Sequence, residues 1–260
     1  MIDTHNHLHQ FAEPAAALQQ SLAAGIHLQV VNGTSPSDWP EVRDLTAKNP
    51  HSLRPCFGLH PWEVPSRPDN WLSTLKEYLI TTPHAGLGEC GLDRWKQPYH
   101  LPTQLTCFEE QLDLALSLDR PVTVHCLKAW GPLLSCLKIR QTIPRLLIHA
   151  FSGSTESLSI LLDLGAYISF NGYFLHERKK ALSELYQTLP IERLLLESDA
   201  PSMLPPPEYQ TNPLSNEQNH PSNLSLILPA LASLRNISPE ALTRQLTKNF
   251  NEFWQLPPSQ

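Results

Sequence analysis

Three histidines stand in the first nine residues: His5, His7 and His9, each two positions from the next. Side chains two apart on a β-strand project from one face. His5 and His7, at the end of the opening run MIDTH, can therefore grip one metal ion together. More groups of the same character follow. Glu89 closes AGLGE, His125 closes PVTVH, His149 closes RLLIHA, and Asp199 follows RLLLES. A mixed nitrogen and oxygen set of this kind suits Zn²⁺, Mn²⁺ or Fe²⁺ better than Ca²⁺. Six donors exceed what one tetrahedral zinc takes, whereas two ions sharing a carboxylate, roughly 3.5–4 Å apart, accommodate them. A single histidine ending a strand is more often a hydrogen-bonded core residue. So many ionisable groups in one place are costly to bury without a cation.

The elements that must position these groups can be read from the spacing. Eight short apolar or β-branched runs are expected as strands: MIDTH, HLQVVN, RPCFGL, AGLGE, PVTVH, RLLIHA, AYISFN and RLLLES. Asn32, His60 and Asn171 close the three runs that carry no metal donor. Segments with apolar residues at helical spacing lie between or after them, among them PAAALQQSLAAG, QLTCFEEQLDLALSLD, STESLSILLDLG, ERKKALSELYQTL and SPEALTRQLTKNFNEFW. Eight strand–helix repeats are the signature of an α/β fold of the (β/α)8 TIM-type barrel class, in which all strand ends meet at one mouth. A doubly wound sheet shares the alternation but needs a glycine-rich nucleotide turn after the first strand, which this chain lacks. One domain, residues 1–260, is expected, with the proline-rich stretch 201–222 as a loop over the C-terminal mouth.

The net charge of −6 exerts no general pull toward polyanions, so any phosphate contact must be local or metal-assisted. Five cysteines without a CxxC pair read as thiols in a reducing compartment. The opening residues carry no signal-peptide pattern, and no apolar run approaches membrane-spanning length. The expectation is a cytoplasmic protein with no membrane association and no obligate protein partner.

Taken in order, THNH, GLHPW, GECGLD, QLTCFEEQLDLALSLDRPVTVHC, IHAFSG, ESDAP and the late NHPSNLSLILPALASLRNISPEALTRQLTKNF resemble the TatD family of metal-dependent hydrolases over nearly the whole chain. The resemblance implies a metallo-dependent hydrolase-like barrel holding one or two divalent ions, Zn²⁺, Mn²⁺ or Mg²⁺. It implies deoxyribonuclease or phosphodiesterase activity on DNA ends, short oligonucleotides or a small phosphodiester. By the matching motifs, His5, His7 and Asp199 hold one ion, His125 and His149 the other, Glu89 bridges, and His60 lies beside the substrate. The chain departs from the family after the strand-five histidine: where many relatives carry arginine, it has Leu127, followed by Lys128. A lysine meets phosphate as a point charge, not as a fork.

In the mechanism this implies, hydroxide held on the metal attacks the phosphoryl group, and Asp199 accepts the water proton as general base. Glu89 and Asp199 are the catalytic carboxylates. Arg94, Lys96 and Lys128 follow strands four and five and can form a local phosphate patch; solvated surface charge is the plain alternative for all three, and the one favoured for Lys96. Asp93 is expected to orient a ligand or bind substrate, or equally to cap the next helix. His9 is expected at the surface or beside the ligands. Trp62, Trp95 and Trp130 can stack on a base, although loop packing is the commoner use. Arg178, Lys179 and Lys180 are expected as an exposed helix face, and Cys126 as pointing away from the metals. Metal-held hydroxide also attacks carbonyls, so a deacylase or lactonase is the alternative enzyme. A metal-holding scaffold is the non-enzymatic one.

Overall fold

A computed structural model describes residues 1–214 and 217–256. Positions 215–216 of the expected proline-rich loop and positions 257–260 of the expected domain lie outside the described residues. The elements run β1 (Ile2–Asn6), α1 (Pro14–Ala23), β2 (Leu28–Asn32), α2 (Trp39–Lys48), β3 (Leu53–Phe57) and α3 (Trp71–Thr81). They continue with β4 (Gly86–Asp93), α4 (Leu101–Ser117), β5 (Val122–Leu127), α5 (Trp130–Lys138), β6 (Leu146–Ile148) and α6 (Thr155–Asp163). The last are β7 (Tyr167–Asn171), α7 (Lys180–Thr188), β8 (Leu194–Glu197), α8 (Leu224–Leu234) and α9 (Pro239–Trp254). The eight strands stand in chain order in one sheet, parallel at every neighbouring pair of known register.

The chain divides into two compact units. The first takes Met1–Val31, His51–Leu53 and Ile168–Gln260. Every residue of β1 and β8 is buried, as in parallel sheets covered on both faces. Thr4 Oγ1 donates to the Leu196 carbonyl at 3.0 Å, tying β8 to β1. Their ends are joined further out by Asp199 N–H to the His5 carbonyl (2.9 Å) and His7 N–H to the Ala200 carbonyl (2.7 Å). α9 starts where Ser238 Oγ accepts from Ala241 N–H, with Pro239 in its first turn. Its Leu242, Leu246, Asn249, Phe250 and Phe253 recur at helical spacing and are buried. Full burial of each large apolar member contributes about 1.5–3 kcal/mol.

The second unit takes Asn32–Pro50 and Arg54–Tyr167. β4 is longer than the run AGLGE suggests: it continues through CGLD to Asp93 and is buried throughout. Glycines make that possible. Gly91 has φ +142°, and a Cβ there would collide with the His125 backbone on β5. α4 buries Gln104, Cys107, Phe108, Gln111 and Leu112 on one face. Gln111 reaches across to the Leu59 backbone, accepting from its N–H at 2.7 Å and donating to its carbonyl at 3.2 Å, which pins the segment carrying His60.

Candidate metal-binding groups

In the first unit His5 lies on β1 and His7 just after it. Asp199 lies past β8 and is itself in the left-handed region, at φ +54°. Asp199 Oδ1 lies 3.3 Å from His5 Nε2 and 3.5 Å from His7 Nε2. All three side chains are buried, and their donor atoms lie within 4.8 Å of one another, as for ligands of one ion.

What holds this group was not legible from the ligands. Asp3, two residues before His5, is fully buried. It accepts from Ser198 N–H (2.9 Å), Ser198 Oγ (2.6 Å), Asn6 Nδ2 (2.9 Å) and His5 N–H (3.3 Å). One carboxylate thus clamps the strand bearing His5 to the segment bearing Asp199. Burial pushes its pKa up to about 6, against the pull of those hydrogen bonds. Asn6, the middle residue of HNH, also donates to Gln29 Oε1 (3.0 Å) and accepts from Leu8 N–H (3.1 Å). The hint in the sequence was Asp3 itself, an acid within the first strand.

In the second unit Glu89 is the hub. Its Oε1 lies 2.9 Å from His125 Nδ1, 2.9 Å from His149 Nε2 and 3.4 Å from His60 Nε2. The two ring nitrogens of His125 and His149 are 3.2 Å apart. His60, expected beside the substrate, lies against the same carboxylate and groups with Glu89 and His125 as a possible ligand set. His125 gives Nε2 to Asp93 Oδ2 at 2.9 Å. Asp93 thus orients a candidate ligand histidine, while its Oδ1 accepts from Trp95 N–H (2.6 Å) and Lys96 N–H (3.0 Å) in the following turn; it does not cap the next helix, because α4 begins at Leu101 with His100 as its N-cap. Burial opposes ionisation of Asp93, but the hydrogen bonds from His125, Lys96 and Trp95 outweigh it and hold its pKa down at about 2. Burial likewise opposes a charge on His125, and the hydrogen bonds to Asp93 and Glu89 overcome it and raise its pKa.

These donors fit a divalent cation. Converging imidazole nitrogens and a carboxylate oxygen, buried and about one hydrogen-bond length apart, repel or over-protonate one another unless a cation takes their lone pairs. A carboxylate behind the far nitrogen of a histidine is the usual way of orienting a metal ligand.

The remaining expectations divide. Lys128 is exposed past the end of β5, at φ +56°. Arg94 turns its guanidinium toward the Tyr99 ring, 6.0 Å from its centroid. His9 is buried, not at the surface, with its ring 6.0 Å from that of His7. Asn171 caps the turn after β7, accepting from Tyr173 N–H at 2.9 Å. Trp130 packs on Phe151, whereas Trp62 and Trp95 remain 39% and 55% exposed. Arg178 and Lys179 precede α7 in a short 3-10 turn and lie over the Tyr173 ring at 5.2 and 5.5 Å. Cys126 is buried, and burial raises its thiol pKa. No described helix is long and apolar enough to cross a membrane.

Comparison with known proteins identifies the family. The model of the TatD related DNase family matches residues 2–255. The 3′-5′ ssDNA/RNA exonuclease TatD of Erwinia billingiae is 32% identical over 251 residues, covering 95% of this chain and 95% of that protein. The crystal structure of YjjV, a TatD homologue from Escherichia coli, superimposes with a TM-score of 0.89 at 28% identity, covering 99% of this chain and 98% of that one. An organophosphorus hydrolase from Deinococcus radiodurans, 17% identical, shares the fold alone, with a TM-score of 0.61 over 97% of this chain and 92% of that one. The fold is thus the (β/α)8 barrel of the metallo-dependent hydrolases, and the chain belongs to the TatD related DNase family.

Proposed function

We propose that this chain is a metal-dependent phosphodiesterase that shortens single-stranded DNA or RNA from an end. One observation carries the reading: Glu89 Oε1 stands 2.9 Å from both His125 and His149, with His125 backed by Asp93. Family membership and the exonuclease name of the Erwinia billingiae relative supply the substrate class. His5, His7 and Asp199 would hold one ion and His125 with His149 the other; the family resemblance gives Glu89 to both. Zn²⁺, Mn²⁺ and Mg²⁺ are the candidates. A divalent ion bound there supplies Lewis acidity, which makes water acidic near neutral pH and offsets charge on phosphoryl oxygens.

The chain's own groups do the rest. Asp199 is the base that takes the proton from water, and Lys128 and Arg94 are the cations nearest strand ends five and four for phosphate contact. His60 orients the substrate from the Glu89 side. We also propose that residues 1–260 work as one catalytic domain, with no obligate protein partner and no membrane association. A reducing compartment such as the cytoplasm is supported by five buried free cysteines.

The test is shortening of a labelled single-stranded oligonucleotide by protein stripped of metal and then given Mg²⁺, Mn²⁺ or Zn²⁺. Metal-dependent shortening, absent in His125→Ala, is expected. Stoichiometric metal uptake without shortening would overturn the reading and favour carbonyl substrates, with Leu127 in place of the family arginine as the reason.

A further inference from the structure

A cavity of about 350 Å³ lies in the second unit, outside the metal-binding groups, and its walls include Trp62, Lys96, Tyr99, Arg67 and Gln104. Residues of the Glu89 group fix two of those walls. Trp62 N–H donates to His60 Nδ1 at 3.1 Å, and the indole stands edge-on to His60 at 5.0 Å and 6.3 Å from the His125 ring. The wall residue Lys96 is set by Asp93, which holds His125 with one oxygen and the backbone of Trp95 and Lys96 with the other. Anything bound in the cavity is thus registered against the candidate metal ligands.

The lining has a specific chemistry. Trp62 presents an exposed indole, with exposed Trp95 beside it at 6.5 Å. Lys96 Nζ lies over the Trp62 ring at 4.3 Å, a cation resting on the face where another flat group could stack. Arg67 is anchored by one nitrogen to the Val64 carbonyl at 2.6 Å, which leaves the rest of its fork for an acceptor. Thr103 and Gln104, in the first turn of the 17-residue α4, also line the cavity. An aromatic face with adjoining cations is how single-stranded nucleic acids are held without base reading. The volume is at the low end of the ~300–1,000 Å³ range of ligand pockets, enough for one nucleotide and too small for a duplex.

We propose that this cavity binds one nucleotide of a single strand, the one flanking the phosphate to be cleaved. Its base stacks on Trp62 opposite Tyr99, displacing Lys96 from the ring, and Lys96 and Arg67 take the adjoining phosphate. The flanking position rests on the nuclease reading above; nucleotide binding by the cavity does not.

The experiment is a fluorescence titration of the metal-free chain with thymidine 5′-monophosphate and, in parallel, ribose 5-phosphate. A saturable change with the nucleotide is expected, and at least tenfold weaker binding of the base-free sugar phosphate. Trp62→Leu should weaken nucleotide binding about tenfold, ~1.4 kcal/mol. Lys96→Ala should weaken both ligands and reduce the salt dependence. Both residues are exposed, so the variants should keep the wild-type circular dichroism. Equal binding of the two ligands, no binding at millimolar concentration, or a Trp62→Leu variant that binds as wild type would each overturn the subsite. Oligonucleotide shortening alongside a failed titration removes the subsite alone. Nucleotide binding without shortening removes the hydrolase reading and the flanking assignment together, leaving a nucleotide site.

Discussion

His125 is held at both ring nitrogens by carboxylates, Asp93 at Nε2 and Glu89 at Nδ1, each at 2.9 Å. With Asp93 ionised, the proton stays on Nε2 and the Nδ1 lone pair is turned toward Glu89 and His149. Asp93→Asn keeps an acceptor for the Trp95 and Lys96 amides but can present an NH₂ to Nε2. That favours the tautomer with the proton on Nδ1, which cannot ligate. A loss of about 10–100-fold in metal affinity is expected, read by competition with a fluorescent chelator. Unchanged affinity would show that Asp93 serves only the turn.

Asp199 lies in the left-handed region, at φ +54°, where asparagine is tolerated almost as well as aspartate. Asp199→Asn should therefore fold with a wild-type thermal midpoint while removing the proposed base and a candidate metal donor. Turnover should fall by at least about 100-fold, the scale of general base loss. Residual activity above a tenth of wild type would remove Asp199 from the reaction.

Gly91 shows what the spacing in GECGLD is for. Its φ of +142° is open to glycine, and a methyl group would run into the His125 carbonyl oxygen. Gly91→Ala should cost more than about 3 kcal/mol by forcing β4 and β5 apart. Urea unfolding measures it. A loss under about 1 kcal/mol would mean that β5 gives way freely.

His220 gives a pH-dependent contribution to stability. Ser222 N–H donates to its Nδ1 at 3.1 Å, its ring meets Phe11 edge-on, and burial lowers its pKa to about 4. The unfolded residue titrates near ~6.5. Between those values the unfolded chain binds more protons, so stability rises with pH through the window and falls as pH drops from ~6.5 to ~4. The effect is at most about 3 kcal/mol. Urea midpoints at about pH 7.5 and 4.5 should separate less for His220→Gln than for wild type; equal separations would refute the assignment.

The amino-acid sequence by itself determined the strand–helix alternation and the residue types of the candidate ligands. Apolar runs, helical spacing and polar residues at strand ends are local properties, and local properties survive in a one-dimensional reading. It left Asp93 as a ligand orienter, a substrate contact or a helix cap, and His60 as a substrate neighbour. Only the tertiary structure decided that Asp93 holds a histidine 32 residues away with Oδ2 while Oδ1 serves the next turn, and that His100 caps the helix instead. It also put His60 against Glu89, and made Asp3 the clamp between segments 195 residues apart. Burial of His9 and exposure of Trp62 and Trp95 were decided the same way. Such contacts depend on which distant residues the strand register brings opposite each other, and no spacing along the chain encodes that.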